Sequence, residues 1–221
     1  MNTFMNCIVI AGGRLNPART RTWHRHSHRL LKTADLIIAA DSGAGHLKKT
    51  GVLPHVIIGD LDSIDPDTLR FFKKSKIPVH AYPRRKNRTD TELCLAYAQN
   101  QGATHITLLG ATGTRMDHTL ANILLLVPLA DAGIRIRIMD AHNEICVVKD
   151  RLKLSGSPGD LVSLIPLTAE VTGLTLTGLA YPLQNHTLKM SATTGISNYF
   201  SDSAARISMT SGMLLVIRSM D

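Results

Sequence analysis

The first 140 residues repeat one pattern, in which a short run of apolar and β-branched residues ends near Gly or Asp and is followed by a helical pattern. Five such runs occur, at 7–11, 35–40, 55–58, 105–109 and 134–138. Strands that are apolar throughout are buried on both faces, which is typical of a parallel sheet covered by helices. Helices are predicted between the runs, at 24–33, 42–50, 65–75, 89–101 and 117–132. The alternation predicts an α/β domain with a doubly wound, mainly parallel sheet.

The composition and the pattern of apolar residues change near residue 143. Residues 151–221 contain 18 Ser and Thr but only nine charged residues, with alternating stretches at 161–165, 174–177 and 213–217. Short alternating strands separated by Gly, Pro and Asn favour an antiparallel β-sandwich. We therefore expect an α/β domain at 1–142 and a β-sandwich domain at 143–221.

The net charge of +8 arises entirely in the first half of the chain. Residues 1–110 hold 16 Lys and Arg against 8 Asp and Glu, whereas the remainder holds 9 of each. The runs Arg14–Lys32 and Arg70–Arg88 contain basic residues and no acid. Such runs attract any polyanion, including nucleic acid, a membrane surface or a nucleoside triphosphate. Charge alone leaves these three partners open.

Membrane insertion and secretion are not expected. No apolar run approaches the ~20 residues that a bilayer span requires, and the N-terminus lacks a basic leader followed by a long apolar stretch. The three cysteines are widely spaced and odd in number, so they are predicted to be buried, reduced thiols. We expect a cytoplasmic protein.

Carboxylates follow two of the predicted strands. Asp41 follows the second run, and Asp60 and Asp62 follow the third, within Gly59-Asp-Leu-Asp-Ser63. Because residues two apart on an extended segment project from the same side, Asp60 and Asp62 are placed to share a cation, with Mg²⁺ the best match. An ordinary acidic turn explains the same residues.

The segment Lys86–Glu92 combines bases and acids at a predicted helix start. Thr89 is placed to cap the helix, which leaves Asp90 in its first turn, where the helix dipole favours negative charge. A functional interpretation adds Asp90 to the carboxylates and lets Lys86 or Arg88 meet phosphate. Local physics does not separate the two interpretations.

Residues 110–118 form a glycine-containing turn after the fourth run. Arg115 is available there for phosphate, with Asp117 and His118 at a helix start. Neither a P-loop nor a Gly-x-Gly-x-x-Gly motif is present, so any nucleotide is bound in another way. His24, His26 and His28 lack a nearby carboxylate or cysteine and are predicted to lie on a solvated basic helix face.

Five strings together resemble the thiamine pyrophosphokinase family in their order and approximate spacing. They are AADSGAGHL at 39–47, GDLDSI at 59–64, TDTE at 89–92, GATGTRMDHTLAN at 110–122 and GISN at 195–198. The resemblance spans nearly the whole chain. It implies a homodimeric enzyme that transfers a pyrophosphoryl group from ATP to the hydroxyethyl group of thiamine, releases AMP, and binds thiamine between its subunits.

The resemblance also implies roles for individual residues. The catalytic group consists of four acids, Asp41, Asp60, Asp62 and Asp90, the last three of which match the family's magnesium ligands. The residues implied to bind ATP are Lys86, Arg88, Thr89, Gly110, Gly113, Arg115, Asp117 and His118. Those implied to bind thiamine are Ser197, Asn198 and Met213.

Several positions depart from the family pattern. Ser42 and Gly45 stand where Gly and Asn are common, Asn87 stands where Asp is common, and Thr114 interrupts a common Gly-Gly-Arg. Met213 aligns with a position where some relatives place a tryptophan against thiamine. These departures are expected to affect the occupancy of the metal site, the approach of phosphate and the affinity for thiamine.

Two other functions remain open from the sequence. One is the same pyrophosphoryl transfer to another heterocyclic alcohol, such as a hydroxymethylpterin, although the segment at 195–198 favours thiamine. The other is a non-catalytic protein that binds thiamine, a nucleotide or nucleic acid. Four aspartates at one sheet edge would repel a nucleic-acid backbone, so we expect no nucleic-acid partner.

Overall fold

The computed structural model describes residues 4–15 and 21–219. Within it the chain divides into two compact units, Met1–Ala141 and His142–Asp221. Part of the basic run Arg14–Lys32, at residues 16–20, lies outside the described residues. In the described part of the chain, no helix is both long enough and apolar enough to cross a membrane.

The first unit is built on six parallel strands in the order β6-β5-β1-β2-β3-β4. The strands are β1 (Asn6–Ile10), β2 (Leu36–Ala40), β3 (Val56–Gly59), β4 (Val79–Ala81), β5 (His105–Leu109) and β6 (Arg135–Met139). Five of them confirm the predicted strands with shifts of at most one residue. The sixth, β4, was not predicted, because it is three residues long and partly exposed, so its sequence has no apolar run.

Among the described residues, six α-helices lie between these strands. They are α1 (Arg21–Lys32), α2 (Ala44–Thr50), α3 (Pro66–Lys74), α4 (Asp90–Asn100), α5 (Met116–Leu124) and α6 (Leu126–Asp131). A 3₁₀ turn at Asp41–Gly43 leads into α2. The prediction that Thr89 caps a helix is confirmed, since its side chain accepts a hydrogen bond from the Glu92 amide.

The prediction of one continuous helix at 117–132 is wrong. The segment forms two helices, α5 and α6, that meet at Leu125. Pro128 explains the break, because a proline has no amide hydrogen for the carbonyl of Leu124 and its ring clashes with that carbonyl in a continuous helix. In α6 the proline lies in the first turn, where a missing amide is tolerated.

The core of the first unit lies on the faces of the sheet. Strand β2 is buried along its whole length, as are the last four residues of β1 and β5. Side chains such as Ile8, Ile57, Leu47 and Phe72 pack into one cluster. Burial on both faces is what the continuous apolar runs predicted.

The second unit is an antiparallel β-sandwich, as expected. One sheet has the order β12-β9-β14-β7 and the other β11-β10-β13-β8. The strands are β7 (Asn143–Val148), β8 (Arg151–Ser155), β9 (Leu161–Pro166), β10 (Glu170–Thr177), β11 (Leu183–Lys189), β12 (Asn198–Tyr199), β13 (Ala204–Ser208) and β14 (Leu214–Ser219). Leu164 and Val216 of the first sheet share a core with Leu176 and Ile207 of the second.

Candidate active site

A cavity of about 810 Å³ lies at the carboxyl ends of the strands of the first unit. Its walls come from the segments that follow β1, β2, β3 and β5 and from the segment that precedes α4. Ligands of open α/β sheets bind at this edge, where loops leave the strands. The cavity is therefore where the fold places a ligand.

Glycines let the segments at this edge approach one another. A Cβ added to Gly59 would lie 2.9 Å from the Cβ of Asp41 and 3.2 Å from the Cγ of Asp90. A Cβ added to Gly110 would lie 2.4 Å from the carbonyl oxygen of Ala11, and Gly110 has a φ of 64°. Both positions need glycine for close approach, and Gly110 needs it also for its backbone conformation.

Three carboxylates converge at the cavity. One oxygen from each of Asp41, Asp60 and Asp62 lies within 4.8 Å of the others. Asp41 is only 6% exposed, and its Oδ1 has no hydrogen-bond partner among the described residues. Its Oδ2 accepts a hydrogen bond from the hydroxyl of Ser63. A buried carboxylate oxygen without a partner is a costly arrangement unless a cation or a donor completes it.

The fourth predicted acid, Asp90, lies beside this group rather than in it. Lys86 stands between two carboxylates, with its Nζ 2.9 Å from Asp60 Oδ2 and 3.0 Å from Asp90 Oδ1. The first contact is a hydrogen bond. The second is an ion pair with the buried Oδ1 of Asp90.

The pKa values of these groups follow from burial and from the central ammonium group. Burial raises the pKa of Asp90, and the charges of Asp60 and Asp41 raise it further, against the opposing effect of Lys86. The hydrogen bond from Lys86 lowers the pKa of Asp60. Burial by itself would lower the pKa of Lys86, but its two carboxylate partners outweigh burial and raise it. Lys86 is therefore an ammonium ion at neutral pH.

Guanidinium groups also line the cavity, among them those of Arg88 and Arg115. Arg115 forms a two-pronged ion pair with Asp117, and both side chains are exposed. The hydrogen bond from Arg115 lowers the pKa of Asp117 to about 2. Arg88 pairs with Glu92 at 3.4 Å, one turn along α4. These guanidinium groups are accessible to an anion in the cavity.

Most of the residues predicted in the first unit line the cavity. The ten that do are Asp41, Asp60, Lys86, Arg88, Thr89, Asp90, Gly110, Gly113, Arg115 and His118. Asp62 and Asp117 do not line it. Asp62 belongs to the three converging carboxylates, and Asp117 pairs with Arg115, which does line the cavity. The predicted convergence of strand-end residues on one edge is visible in the geometry.

The three residues predicted to bind thiamine lie in the second unit, where Met213 is distant from the adjacent Ser197 and Asn198. Asn198 pairs with Val162 at one end of β9. Met213 directly precedes β14, and its carbonyl accepts a hydrogen bond from the amide of Leu167, which lies just beyond the other end of β9. Five residues of strand separate these points, which is roughly 16 Å. Within one chain, Asn198 and Met213 do not form one site.

Asn198 has a structural part to play in addition to any binding. Its amide nitrogen donates to the carbonyl of Tyr181, and its Oδ1 accepts from the amides of Tyr181 and Tyr199. The side chain is buried, at 1% exposure. Ser197, by contrast, is exposed and has a φ of 55°, and its amide donates to Ser163.

The positions that depart from the family pattern differ in their relation to the cavity. Ser42 lines it and fills the space beside Gly12, since a Cβ on Gly12 would lie 2.2 Å from the Ser42 hydroxyl. Thr114 also lines the cavity, whereas Asn87 is exposed and does not. Nothing lies within 4 Å of a Cβ placed on Gly45.

Sequence reasoning missed several polar residues of the cavity wall, among them His46, Ser63 and Asn122. His46 lies 2.9 Å from the carbonyl oxygen of Gly13, Ser63 donates to Asp41, and Asn122 donates to the carbonyl of Ala111. All three stand inside the quoted strings at 39–47, 59–64 and 110–122. Their polar character was the available signal, but their partners are distant in sequence or are backbone groups.

Fold and site together define a class of protein. An α/β unit presents carboxylates, an ammonium group and guanidinium groups to one cavity at the carboxyl edge of a parallel sheet, and a β-sandwich follows. This combination is typical of enzymes that bind a phosphorylated ligand together with a cation.

Comparison with known proteins specifies the family. The family model "Thiamin pyrophosphokinase, catalytic domain" matches residues 27–138, and "Thiamin pyrophosphokinase, vitamin B1 binding domain" matches residues 147–214. A thiamine pyrophosphokinase from Bacillus subtilis (strain 168) is 33% identical over 221 residues, which covers 96% of this chain and 98% of the relative.

Solved structures agree with this comparison. A crystal structure of thiamine pyrophosphokinase from Bacillus subtilis superposes with a TM-score of 0.85 at 31% identity, covering 98% of this chain and 99% of that one. One from Geobacillus thermodenitrificans has a TM-score of 0.83 at 31% identity, covering 98% of both chains. The chain belongs to the thiamine pyrophosphokinase family.

Proposed function

We propose that the protein transfers the pyrophosphoryl group of ATP to the hydroxyethyl group of thiamine, giving thiamine diphosphate and AMP. The observation that carries this proposal is the cavity, in which carboxylates for a cation and basic groups for phosphates face the same space. The two matched family domains support the same reaction.

Magnesium fits the residues that are present. Three carboxylate oxygens converge within 4.8 Å, and the buried Oδ1 of Asp41 has no other partner in the described part of the chain. Mg²⁺ takes a few carboxylates and completes its shell with water and phosphate oxygens. We propose that Asp60, Asp62 and Asp90 hold it, with Asp41 beside them. When bound, the ion supplies neutralisation of charge on the phosphates.

The chain's own residues would orient the reactants. We propose that Arg115, His118, Arg88 and the turns at Gly110 and Gly113 hold the triphosphate, together with Lys86 and Thr89, which line the same cavity. The thiamine hydroxyl then attacks the β-phosphorus in line, and AMP leaves. Positioning and charge neutralisation supply most of the catalysis in reactions of this type.

One carboxylate is expected to accept the proton of the attacking hydroxyl, and Asp41 and Asp90 are the two candidates. Both are at the cavity wall, and burial raises the pKa of Asp90. Replacing each by Asn and measuring the pH dependence of turnover assigns the role. The variant that loses the acid limb identifies the acceptor, and an unchanged limb removes that residue from the role.

Thiamine recognition is proposed for the second unit. We propose that the region 1–142 binds ATP and magnesium, that the region 143–221 binds thiamine and forms a homodimer, and that Ser197, Asn198 and Met213 contribute to thiamine sites between subunits. The separation of Asn198 from Met213 along β9 is consistent with their serving different parts of such an interface. Analytical ultracentrifugation tests the dimer.

A cytoplasmic location is proposed together with this reaction, since ATP is available there. None of the three cysteines, all within the described residues, forms a disulfide; Cys7 and Cys94 are buried as predicted, whereas Cys146 is only half-buried. Burial raises the pKa of Cys7 to about 12, which keeps this thiol protonated and unreactive.

The decisive experiment incubates purified protein with ATP, Mg²⁺ and thiamine and follows AMP and thiamine diphosphate together by chromatography. Equal formation of both products, abolished by Asp60→Ala, is the expected result. AMP formation only when another alcohol replaces thiamine would assign a different acceptor, and absence of both products with every acceptor would contradict an enzymatic role.

A further inference from the structure

Lys86 pairs with two of the acidic side chains that line the cavity. Its Nζ contacts Asp60 at 2.9 Å and Asp90 at 3.0 Å, and its side chain is only 14% exposed. Asp60 also belongs to the three carboxylates whose oxygens converge within 4.8 Å. The same carboxylate therefore serves both the ammonium group and the candidate cation site.

Two cations that share one carboxylate compete for it. The charges of Lys86 and a divalent ion repel each other strongly at a separation of a few ångströms, particularly where water is partly excluded. Asp60 and Asp90 are themselves 12% and 21% exposed, so solvent screens the repulsion incompletely. Arg84 pairs with Asp62 at 3.1 Å, but its side chain is 82% exposed and free to move into solvent.

We propose that Lys86 is an internal counter-cation, which pairs Asp60 and Asp90 in the metal-free protein and releases them when a divalent cation binds. Its role is that of a positioning residue, and the proposal rests on the proposed function only in requiring that this cluster binds a divalent cation. The buried, unpartnered Oδ1 of Asp41 supports the binding of a second cation here, in addition to the ammonium group of Lys86.

This role accounts for the difference between the predicted and observed carboxylate groups. The residues implied to bind magnesium are Asp60, Asp62 and Asp90, whereas the oxygens that converge belong to Asp41, Asp60 and Asp62. Asp90, which is not among the three, is paired with Lys86. Release of Lys86 frees Asp90 and leaves the ammonium group beside the cavity, where phosphate would be its new partner.

Calorimetric titration of Mg²⁺ into nucleotide-free protein tests the proposal without any turnover. Lys86→Met is expected to bind Mg²⁺ about tenfold more tightly than the wild type, because one repelling charge is removed. Lys86→Arg keeps the charge and should bind like the wild type, and Arg84→Met serves as a matched control with little change. Unchanged or weaker binding by Lys86→Met would overturn the proposal.

A second measurement, thermal unfolding with and without Mg²⁺, tests whether the variants lose stability. Without Lys86 the clustered carboxylates repel one another, so Lys86→Met and Lys86→Gln should melt at lower temperature without Mg²⁺ and gain more from added Mg²⁺ than the wild type. If both variants stay unfolded at saturating Mg²⁺, Lys86 is structural and the proposal fails. Because neither ATP nor thiamine is present, these outcomes are independent of the reaction assay.

Discussion

Asp41 and Leu61 both have positive φ angles, 45° and 64°, although neither is glycine. Asp41 follows β2 directly and belongs to the carboxylate group, and Leu61 lies two residues after β3, between Asp60 and Asp62 of that group. Such conformations cost about 1–3 kcal/mol each and persist where the surrounding structure enforces them. Leu61 packs partly against the core and Asp60 and Asp62 join the converging carboxylates, as expected, but the segment turns through a left-handed Leu61 and is not the extended one that the sequence predicted.

Gly59 and Gly45 provide a matched pair of substitutions. Gly59→Ala places a methyl group 2.9 Å from the Asp41 Cβ, so we expect the carboxylates to separate, stability to fall by about 1–3 kcal/mol and activity to fall with it. Gly45→Ala, in helix α2 with open space around it, should instead stabilise by about 0.4–1 kcal/mol. Urea unfolding measures both. Equal effects of the two substitutions would contradict the close-approach argument.

At the scale of elements, the junctions between strands and helices are stabilised by side chains that cap the helices. Asp65 caps α3 by accepting hydrogen bonds from the amide and hydroxyl of Thr68. Thr89 caps α4 in the same way through the Glu92 amide. Because α3 follows the Asp60–Asp62 segment and α4 begins beside Lys86, these caps fix the chain on both sides of the carboxylate group.

The cap on α3 should make stability depend on pH. The hydrogen bonds from Thr68 lower the pKa of Asp65 in the folded protein, so its stabilising effect is complete above the unfolded pKa and is lost as pH falls through the folded pKa. Asp65→Asn keeps an acceptor for the cap but does not titrate. We expect the stability difference between wild type and variant to favour the wild type at pH 7 and to shrink below about pH 4. Urea unfolding at pH 7 and pH 3 measures it, and a difference that stays constant would refute the linkage.

At the scale of the whole molecule, part of the basic excess of the first half lies at the cavity. Arg14, Arg84, Lys86 and Arg88 line it, together with Arg115 from the second half of the chain. A cavity with both signs of charge suits a polyphosphate that arrives with a divalent cation. Clustered bases alone would suit any polyanion.

Ligand binding to this cavity should stabilise the whole chain. With Mg²⁺ and ATP at 100 times the dissociation constant, the free energy of unfolding rises by about 2.7 kcal/mol, which for a chain of this size raises the melting temperature by several degrees. Differential scanning fluorimetry measures the rise. ATP with EDTA is the control for the metal, and Asp60→Ala should abolish the part of the rise that requires Mg²⁺. Full stabilisation by ATP in EDTA would show that the carboxylates play no part.

The sequence by itself determined most of the architecture and the place of the candidate site. The signals for these elements are local in the sequence. An apolar run indicates a strand buried on both faces, an alternating stretch indicates a strand buried on one face, and a capping residue indicates the start of a helix. Carboxylates at strand ends then had to meet, because parallel strands end at one edge. Strand β4 and the break between α5 and α6 were not predicted, because β4 has no apolar run and the break depends on a proline inside a helical pattern.

Only the tertiary structure decided which charged groups touch. Lys86 reaches Asp60 across 26 residues of sequence, and Ser63 reaches Asp41 across 22. The amide of Asn198, a candidate thiamine ligand in the sequence, is committed to Tyr181 and Tyr199. Contacts of this kind depend on distances set by packing of whole elements. Local sequence determines where a side chain emerges from the chain, and packing alone determines what it meets.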